Sequence, residues 1–397
     1  MWQPSKVGIL TDIIYQNLVP PLSDTISSNI ERVELFTHRV SDYTEFLFVR
    51  LSTVGGQFGW GEASFNQLNG QVVVALGMLV EALEGSPLQE VKSYLSGLPA
   101  WKYGRAYQIA LSALEQALND VEAQWLGVPF GSLFGSRKRD KIDCYANINR
   151  GTTDRSRAGW AKRAERAITE GFSALKIAPF DRITDKDLPH LSNGFLHGID
   201  TISAVRDVAS SNINLMLDCH WRFCPESAIF LVDEVERFDL GWLEAPILED
   251  HLAIGDLCKV RRKANELNIK LAGGEYLDGL RATAPFLKSG AFDVINPDIR
   301  LCGVKGALDV AVEADAQGIL YAPHNHLGPV MTAVNLHLLS VVPHALTLEM
   351  QFEETDIDVD LIDPAVFTPV NGRLKVPEGS GLGIDINMNA LSSVPLH

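Results

Sequence analysis

Three acidic residues recur at similar intervals in the second half of the chain, each directly after a short apolar run. They are Asp218, Glu244 and Glu275, and the separations are 26 and 31 residues. If the apolar runs are successive parallel strands of a barrel, their carboxyl ends bring these side chains together. Oxygen ligands with no thiolate or imidazole among them favour Mg²⁺ over zinc. The spacing therefore predicts a Mg²⁺ site that leaves coordination positions open for a small carboxylate substrate.

Charged residues also end the other apolar runs, and they are the candidates for proton transfer: Lys176, His220, Asp298, His324 and Glu349. Asp298 and His324 end neighbouring strands, so we expect them to pair, and a carboxylate raises the basicity of a histidine. His220 lies two residues after Asp218, which on a strand puts both side chains on one face. Lys176 could place positive charge against the substrate carboxylate. His326 lies further into its loop, and we expect it to take no part.

Short apolar segments alternate with helical segments from residue 141 onward. The predicted strands are residues 142–147, 174–177, 215–217, 241–243, 270–272, 292–295, 319–321 and 347–348. Alternation of this kind predicts a parallel sheet, and about 26 residues per unit is the scale of a closed (β/α) barrel. An open doubly wound sheet is the alternative. However, no glycine-rich loop follows the first strand, and the run Gly379-Ser-Gly-Leu-Gly does not open a helix.

The part of the chain before the barrel has a different pattern. Three short antiparallel strands precede helical segments at 71–86 and 104–125, which predicts a small α+β domain. The predicted division is an N-terminal extension at 1–28, the α+β domain at 29–138, the barrel at 139–370 and a C-terminal segment at 371–397.

Composition excludes several classes of function. The formal charge is −16 over 397 residues, which disfavours binding to nucleic acid. No apolar run approaches the ~20 residues that cross a membrane, and Asp12 interrupts the only apolar stretch near the start. Five cysteines without a CxxC pair indicate reduced thiols. We therefore expect a cytoplasmic protein without a membrane or nucleic-acid partner.

An ordered set of short motifs resembles the mandelate racemase branch of the enolase superfamily. The motifs are Gly59-Trp-Gly-Glu-Ala, Leu126-Gly-Val-Pro, Leu217-Asp-Cys-His, Trp242-Leu-Glu-Ala-Pro, Gly274-Glu, Pro297-Asp and Val376-Pro-Glu-Gly-Ser-Gly-Leu-Gly. The resemblance covers about residues 29–388. It implies a modified (β/α)7β TIM-type barrel with an α+β capping domain, to which the C-terminal segment returns. It also implies a homo-oligomer.

The same resemblance implies roles for individual residues. Asp218, Glu244 and Glu275 fall on the positions of the metal ligands, His324 and Asp298 on the histidine–aspartate pair, and Glu349 on the acid of the eighth strand. The racemase has Lys-x-Lys after the second strand, whereas this chain has Lys176-Ile-Ala178. Asp218-Cys-His-Trp-Arg222 instead resembles the acid-sugar dehydratases of the family, such as galactonate and mannonate dehydratases.

The resulting hypothesis is dehydration of an aldonic or aldaric acid to a 2-keto-3-deoxy acid. His324 removes the α-proton, Mg²⁺ and Lys176 stabilise the enediolate, and His220 protonates the departing β-hydroxyl, although the two histidines could exchange roles. Arg222 and Arg39 are candidate substrate contacts; a salt bridge and a hairpin loop are their structural alternatives. Two other functions stay open: cycloisomerase, epimerase or racemase chemistry on a lactone, sugar acid or amino-acid derivative, and a silent binding protein.

Overall fold

The structure is a computed structural model that describes residues 28–99, 102–183, 192–352, 354 and 358–396. The predicted N-terminal extension at 1–28 lies outside the described residues except for Ser28, so it stays a prediction.

The first folded unit is an antiparallel sheet covered by helices. Its strands are β1 (Ile30–Arg39), β2 (Glu45–Thr53) and β3 (Phe58–Glu62), with β13 (Ser392–Val394) at the outer edge beside β1. Its helices are α1 (Asn69–Val80), α2 (Leu88–Ser96) and α3 (Arg105–Leu126). Because β13 pairs with β1, the end of the chain returns to this cap.

The motif Gly-Trp-Gly-Glu on β3 has a packing reason. A Cβ atom added at Gly59 would lie 2.2 Å from the backbone oxygen of Ala117, and one at Gly61 would lie 1.9 Å from that of Ala113. Strand β3 therefore lies directly on the backbone of α3, an approach that only glycine permits. The side chains that alternate with these glycines, Trp60 and Glu62, point away from α3 and are buried.

The second unit is a parallel sheet that curls into a barrel. In chain order its strands are β4 (Lys141–Asn147), β5 (Ala174–Ile177), β6 (Asn214–Asp218), β7 (Leu240–Glu244), β8 (Lys270–Gly273), β9 (Val294–Ile295), β10 (Leu320–Tyr321) and β11 (Leu348–Gln351). Each pairs with the next from β4 to β10, and β11 pairs with β4. The backbone of Tyr321 on β10 forms hydrogen bonds with His344 and Leu346, just before β11, and these bonds close the barrel.

Helices connect these strands in sequence. They are α4 (Arg157–Thr169), α5 (Asn193–Val208), α6 (Pro225–Val235), α7 (Ile254–Glu266), α8 (Leu280–Ser289), α9 (Ile299–Ala316) and α10 (Pro329–Val341). The described residues thus show seven helices between eight parallel strands, which confirms the predicted (β/α)7β barrel with an α+β cap. In the same residues, no helix is both long and apolar enough to cross a membrane.

The C-terminal segment contacts both units. A short helix, α11 (Asp358–Leu361), is followed by β12 (Arg373–Lys375), which pairs antiparallel with β4 before the chain reaches β13. Between them, Leu382 donates its backbone N–H to Asp120 of α3 and accepts a bond from His337 of α10. The glycine-rich run at 379–383 therefore connects the cap to the barrel through hydrogen bonds. The predicted domain boundaries themselves stay predictions.

The barrel interior is filled by side chains. Tyr145 and Trp242 pack edge to face with ring centroids 5.4 Å apart, and Met216 lies buried in the same cluster. This layer closes the barrel beneath the carboxyl ends of the strands, so a cavity at that end has an apolar floor.

Candidate active site

A cavity of about 1000 Å³ lies where the carboxyl ends of the barrel strands meet the cap. Six of the predicted residues line it: Lys176, Asp218, His220, Glu275, His324 and Glu349. Glu244 and Asp298 lie directly behind these, bonded to Lys176 and His324 respectively. The structure therefore brings together eight residues from seven strand ends, because parallel strands of one barrel all point their carboxyl ends to one face.

Lys176 is the buried centre of this cluster. Its ammonium lies 3.0 Å from Glu244 and 3.0 Å from Glu349, and 4.0 Å from Asp218. Burial alone would lower its pKa, but Glu244 and Glu349 hold the pKa of Lys176 well above the usual value. Lys176 is therefore a fixed positive charge on the cavity wall.

Each carboxylate of the predicted metal triad faces a basic side chain. Lys176 contacts Glu244, the Nε2 atom of His220 lies 3.0 Å from Asp218, and the Nε2 atom of His324 lies 3.3 Å from Glu275. Burial raises the pKa of Glu244 and of Glu275, and neighbouring carboxylates add to the increase. The acids are thus close enough to repel one another.

These residues suit a divalent cation. Five buried carboxylates belong to the cluster, Asp218, Glu244, Glu275, Asp298 and Glu349. They outnumber its basic groups, Lys176, Arg300, His220 and His324, even if both imidazoles are protonated. An all-oxygen donor set with excess negative charge fits Mg²⁺, whose binding would offset the burial of these carboxylates and relieve the repulsion among them.

A second group of potential ligand atoms is more compact than the triad. One atom each of Asp298, His324 and His326 lies within 4.8 Å of the others, a spacing that no other set of His, Cys, Asp and Glu shows in the ranges described. Asp298, however, already accepts bonds from Arg300 and His324. We therefore interpret this group as a hydrogen-bonded pair with a neighbouring histidine, and the triad as the candidate metal site.

His324 is held by a carboxylate on each side of its ring. Its Nδ1 atom lies 3.1 Å from Asp298 and its Nε2 atom 3.3 Å from Glu275. Burial would lower the pKa of His324, but Glu275 and Asp298 raise it to about 9. The Nδ1 contact fixes the ring so that Nε2 faces the cavity, which is the arrangement of a positioned general base.

Arg300, which the sequence analysis missed, connects this pair to the cap. Its guanidinium is buried against Asp298, with Nε 3.0 and 2.9 Å from the two carboxylate oxygens, and it donates to the backbone oxygen of Ser64 at 3.3 Å. The hydroxyl of Ser64 donates to Glu62, which accepts the N–H groups of Gly328 and Met331 at the start of α10. A continuous chain of hydrogen bonds thus connects His324 to the cap.

His220 has its own carboxylate, Asp181, which sequence reasoning also missed. The Nδ1 atom of His220 lies 2.8 Å from Asp181, and the pKa of His220 is raised to about 11, chiefly by Asp218 and further by Asp181. Strand alternation does not explain the placement of His220, because β6 ends at Asp218. His220 (φ 44°) and Trp221 (φ 58°) adopt the left-handed conformation, and this turn brings the ring back onto Asp218.

The turn at Glu275 depends on two glycines. Gly274 has φ 98°, and its N–H donates to Glu249, while a Cβ atom at Gly273 would lie 2.1 Å from that carboxylate. Burial and Glu275 raise the pKa of Glu249 to about 8. The Gly-Gly-Glu motif is therefore required by a second acid packed beneath Glu275.

The two predicted substrate-binding arginines do not line the cavity. Arg39 is exposed and pairs with Glu45 at 2.9 Å, and Arg222 is half-buried beside the barrel. Arginines from other elements take their place: Arg105, Arg150, Arg155 and Arg300. Arg150 lies 3.5 Å from Glu354 and bonds to Thr44 of the cap, so its charge is already balanced. The pair with Glu45 supports the hairpin alternative for Arg39. Arg222 forms no ion pair with any residue that the structure describes, and its Nε atom has no hydrogen-bond partner there, so the salt-bridge alternative is not supported.

Glu349 is buried and fully bonded. It accepts from Asn147 at 2.7 Å, from the backbone of Asn325 at 3.0 Å and from Lys176. Burial would raise the pKa of Glu349, but Lys176 and His324 lower it to about 2. Glu349 is thus an ionised partner that holds Lys176 in place.

Comparison with known proteins assigns this chain to a family. Residues 159–390, more than half of the chain, match the family described as enolase C-terminal domain-like. The chain belongs to this family. The D-gluconate dehydratase of Thermoproteus tenax is 28% identical over 356 residues, which cover 87% of this chain and 69% of that protein. The D-xylonate dehydratase of Haloferax volcanii is 27% identical over 376 residues, covering 91% and 88%.

Solved structures of enolase-superfamily proteins agree with this assignment. A putative L-alanine-DL-glutamate epimerase from Burkholderia xenovorans strain LB400, bound to magnesium and fumarate, has a TM-score of 0.79 and 25% sequence identity. The likeness covers 91% of this chain and 95% of that one. The proteins similar to this enolase-superfamily chain thus include dehydratases and a putative epimerase.

Proposed function

We propose that this protein dehydrates an acid sugar, an aldonic or aldaric acid, to a 2-keto-3-deoxy acid, with Mg²⁺ as cofactor. The observation that carries the proposal is that two carboxylate-supported imidazoles, His324 with Asp298 and His220 with Asp181, line the same cavity as Asp218 and Glu275 of the triad. Dehydration needs a base for the α-proton and an acid for the β-hydroxyl, and two such imidazoles supply both.

Asp218, Glu244 and Glu275 would hold the Mg²⁺, which supplies positive charge for the substrate carboxylate and for the charge that develops on it. In its neutral form, His324 accepts the α-proton at Nε2, and Asp298 stabilises the imidazolium that results. The ammonium of Lys176 faces the same charge from the cavity wall, held there by Glu349. His220 gives a proton to the β-hydroxyl, which leaves as water, and the enol that remains gains a proton at the β-carbon to become the 2-keto-3-deoxy acid.

Epimerisation is the second candidate. It would use the same base, but His220 or another acid would return a proton to the α-carbon. The magnesium-bound epimerase among the similar structures favours this reading. Against it, Ala178 stands where a second lysine would be needed for a lysine/histidine pair, and the ring of His220 is already supported as an acid.

The test is a library of sugar acids incubated with the Mg²⁺-loaded protein, with semicarbazide to detect 2-keto acids and NMR to identify products. His324→Asn is the active-site variant, and His251→Asn, on an exposed 3-10 helix outside the cavity, is the matched control. We expect a 2-keto-3-deoxy product from the wild type and His251→Asn only. A product of unchanged mass would support epimerisation, and no conversion of any acid would contradict the dehydratase assignment.

A further inference from the structure

His326 lines the cavity although it lies beyond the end of β10. Its ring stacks on that of His324, with centroids 4.3 Å apart and planes at 28°. Its backbone oxygen accepts a bond from Arg150 at 3.1 Å, and Arg150 also donates to Thr44 at 3.4 Å. The ring is therefore fixed beside the base, on the side of the cavity that faces the cap.

The ring nitrogens of His326 are available to a ligand. In the part of the chain that the structure describes, neither ring nitrogen has a hydrogen-bond partner. Neither nitrogen is among the fully buried atoms without a partner, and the residue lines the cavity. The charged groups around it are engaged: His324 with Asp298 and Glu275, Arg300 with Asp298, and Arg150 with Glu354. The Oε1 atom of Gln351, which lines the same cavity, also has no hydrogen-bond partner among the described residues. The ring of His326 and this amide oxygen are therefore available to a polar group of a bound molecule.

The charges around His326 indicate which kind of group that is. Burial and the cations Arg300, His324 and Arg150 hold the pKa of His326 well below the usual value, so the ring is neutral. A neutral imidazole donates through one nitrogen and accepts through the other, which matches a hydroxyl group better than a carboxylate. The charge of Arg150 is in turn balanced by its pairing with Glu354.

We propose that His326 binds a hydroxyl group of the substrate's polyol chain, beyond the reacting carbons. The inference rests on the proposed function, in which His324 lies beside the α-carbon. Since the triad takes the carboxylate, the chain must extend away from it, and a ring stacked on His324 on the cap side lies beside its later carbons. His326 is thus a specificity-determining residue, separate from the proton-transfer pair.

The substitution His326→Phe tests the inference because it keeps a flat ring and removes both nitrogens. The ring also borders an apolar cavity of about 410 Å³ that contains Phe46 and Phe352, so a phenyl group has apolar neighbours. Loss of one neutral hydrogen bond predicts about a tenfold rise in KM for the sugar acid, with kcat changed less than threefold. His326→Asn, which keeps a donor and an acceptor, should recover part of the loss.

Monodeoxy analogues of the same acid, altered beyond the β-carbon, complete a double-mutant cycle. In the wild type, one analogue should show a KM about tenfold higher, and in His326→Phe that analogue and the parent acid should be equal. The measurements of the analogues on the wild-type protein do not depend on whether the variant folds. No effect of any analogue on the wild type, an equal effect in His326→Phe, or a loss of kcat alone would overturn the inference. Failure of the wild type to convert any sugar acid would remove the proposed function as well, whereas conversion without this coupling would remove only the role of His326.

Discussion

The carboxylate of Asp181 lies 2.8 Å from the Nδ1 atom of His220, as that of Asp298 lies 3.1 Å from the Nδ1 atom of His324. Each imidazole therefore has a carboxylate at its Nδ1 atom, which leaves the Nε2 side of the ring facing the cavity. A carboxylate in this position fixes the tautomer and the orientation of the ring. The two supports come from different strand ends, and only Asp298 could be foreseen from strand spacing.

We predict that Asp181→Ala lowers kcat by about 10–100-fold with little change in KM, because His220 loses its orientation but the substrate carboxylate keeps its partners. Asp181→Asn, which can still accept from the Nδ1–H group, should retain more activity. Asp154→Ala, on a nearby exposed turn, is the control. Steady-state kinetics on the converted acid measure the effect, and an unchanged kcat in Asp181→Ala would show that the contact has no role.

Lys176→Met should abolish turnover and also destabilise the fold. Removing one partner of a buried ion pair leaves Glu244 and Glu349 without their cation, which costs about 3–5 kcal/mol. Lys259→Met removes an exposed pair with Asp256 and should cost less than about 1 kcal/mol. Urea unfolding of the two variants gives the comparison. A similar small loss for both would contradict the buried pairing of Lys176.

Mg²⁺ should stabilise the folded protein through the triad. At a hundred times Kd, a ligand that binds only the folded state adds about 2.7 kcal/mol. Glu244→Gln should weaken Mg²⁺ binding at least tenfold, whereas Glu266→Gln, on the exposed end of α7, should not change it. Calorimetric titration with Mg²⁺ after treatment with EDTA measures both. Unchanged binding in Glu244→Gln would exclude the triad as the site.

The features that the sequence predicted share one physical basis. Asp218, Glu244, Glu275, Asp298 and His324 all end or directly follow barrel strands, and parallel strands of a barrel must bring their carboxyl ends together. Hydrophobic periodicity locates such strands without any knowledge of loops. This explains why the fold and the composition of the cluster were accessible from the sequence.

The features that the sequence did not predict depend on loops and on pairings between distant segments. Asp181 lies beyond β5, and its contact with His220 requires two residues with left-handed backbone. Arg39 looked available for a substrate because its neighbour across the hairpin, Glu45, could not be recognised as a partner. No periodic pattern encodes these conformations, so residue type alone could not choose among the arginines.

Stability should fall at mildly acidic pH because of His337, a buried histidine outside the active site. It packs on Phe130, donates to the backbone oxygen of Leu382, and burial lowers its pKa to about 4. A folded-state pKa below the unfolded value of about 6.5 means that this contribution is complete above pH 6.5 and is lost as pH falls toward 4. At pH 5 the loss is about 2 kcal/mol.

His337→Gln, which keeps a donor for Leu382 and does not titrate, should remove this part of the pH dependence. His251→Gln, on an exposed 3-10 helix, should keep it. Urea unfolding at pH 7.5 and at pH 5 provides the four free energies of unfolding for the two variants. An equal decrease in both would show that another group is responsible.

The central claim is that His324 removes the α-proton of a sugar acid that then loses its β-hydroxyl. The most direct measurement uses the acid converted by the wild type, labelled with deuterium at the α-carbon, with Mg²⁺ present. We predict that the wild type releases the deuterium to solvent as the 2-keto-3-deoxy acid forms. His324→Asn should bind the acid but release deuterium at least a thousandfold more slowly, since the base is absent. Release at the wild-type rate by His324→Asn would contradict the mechanism.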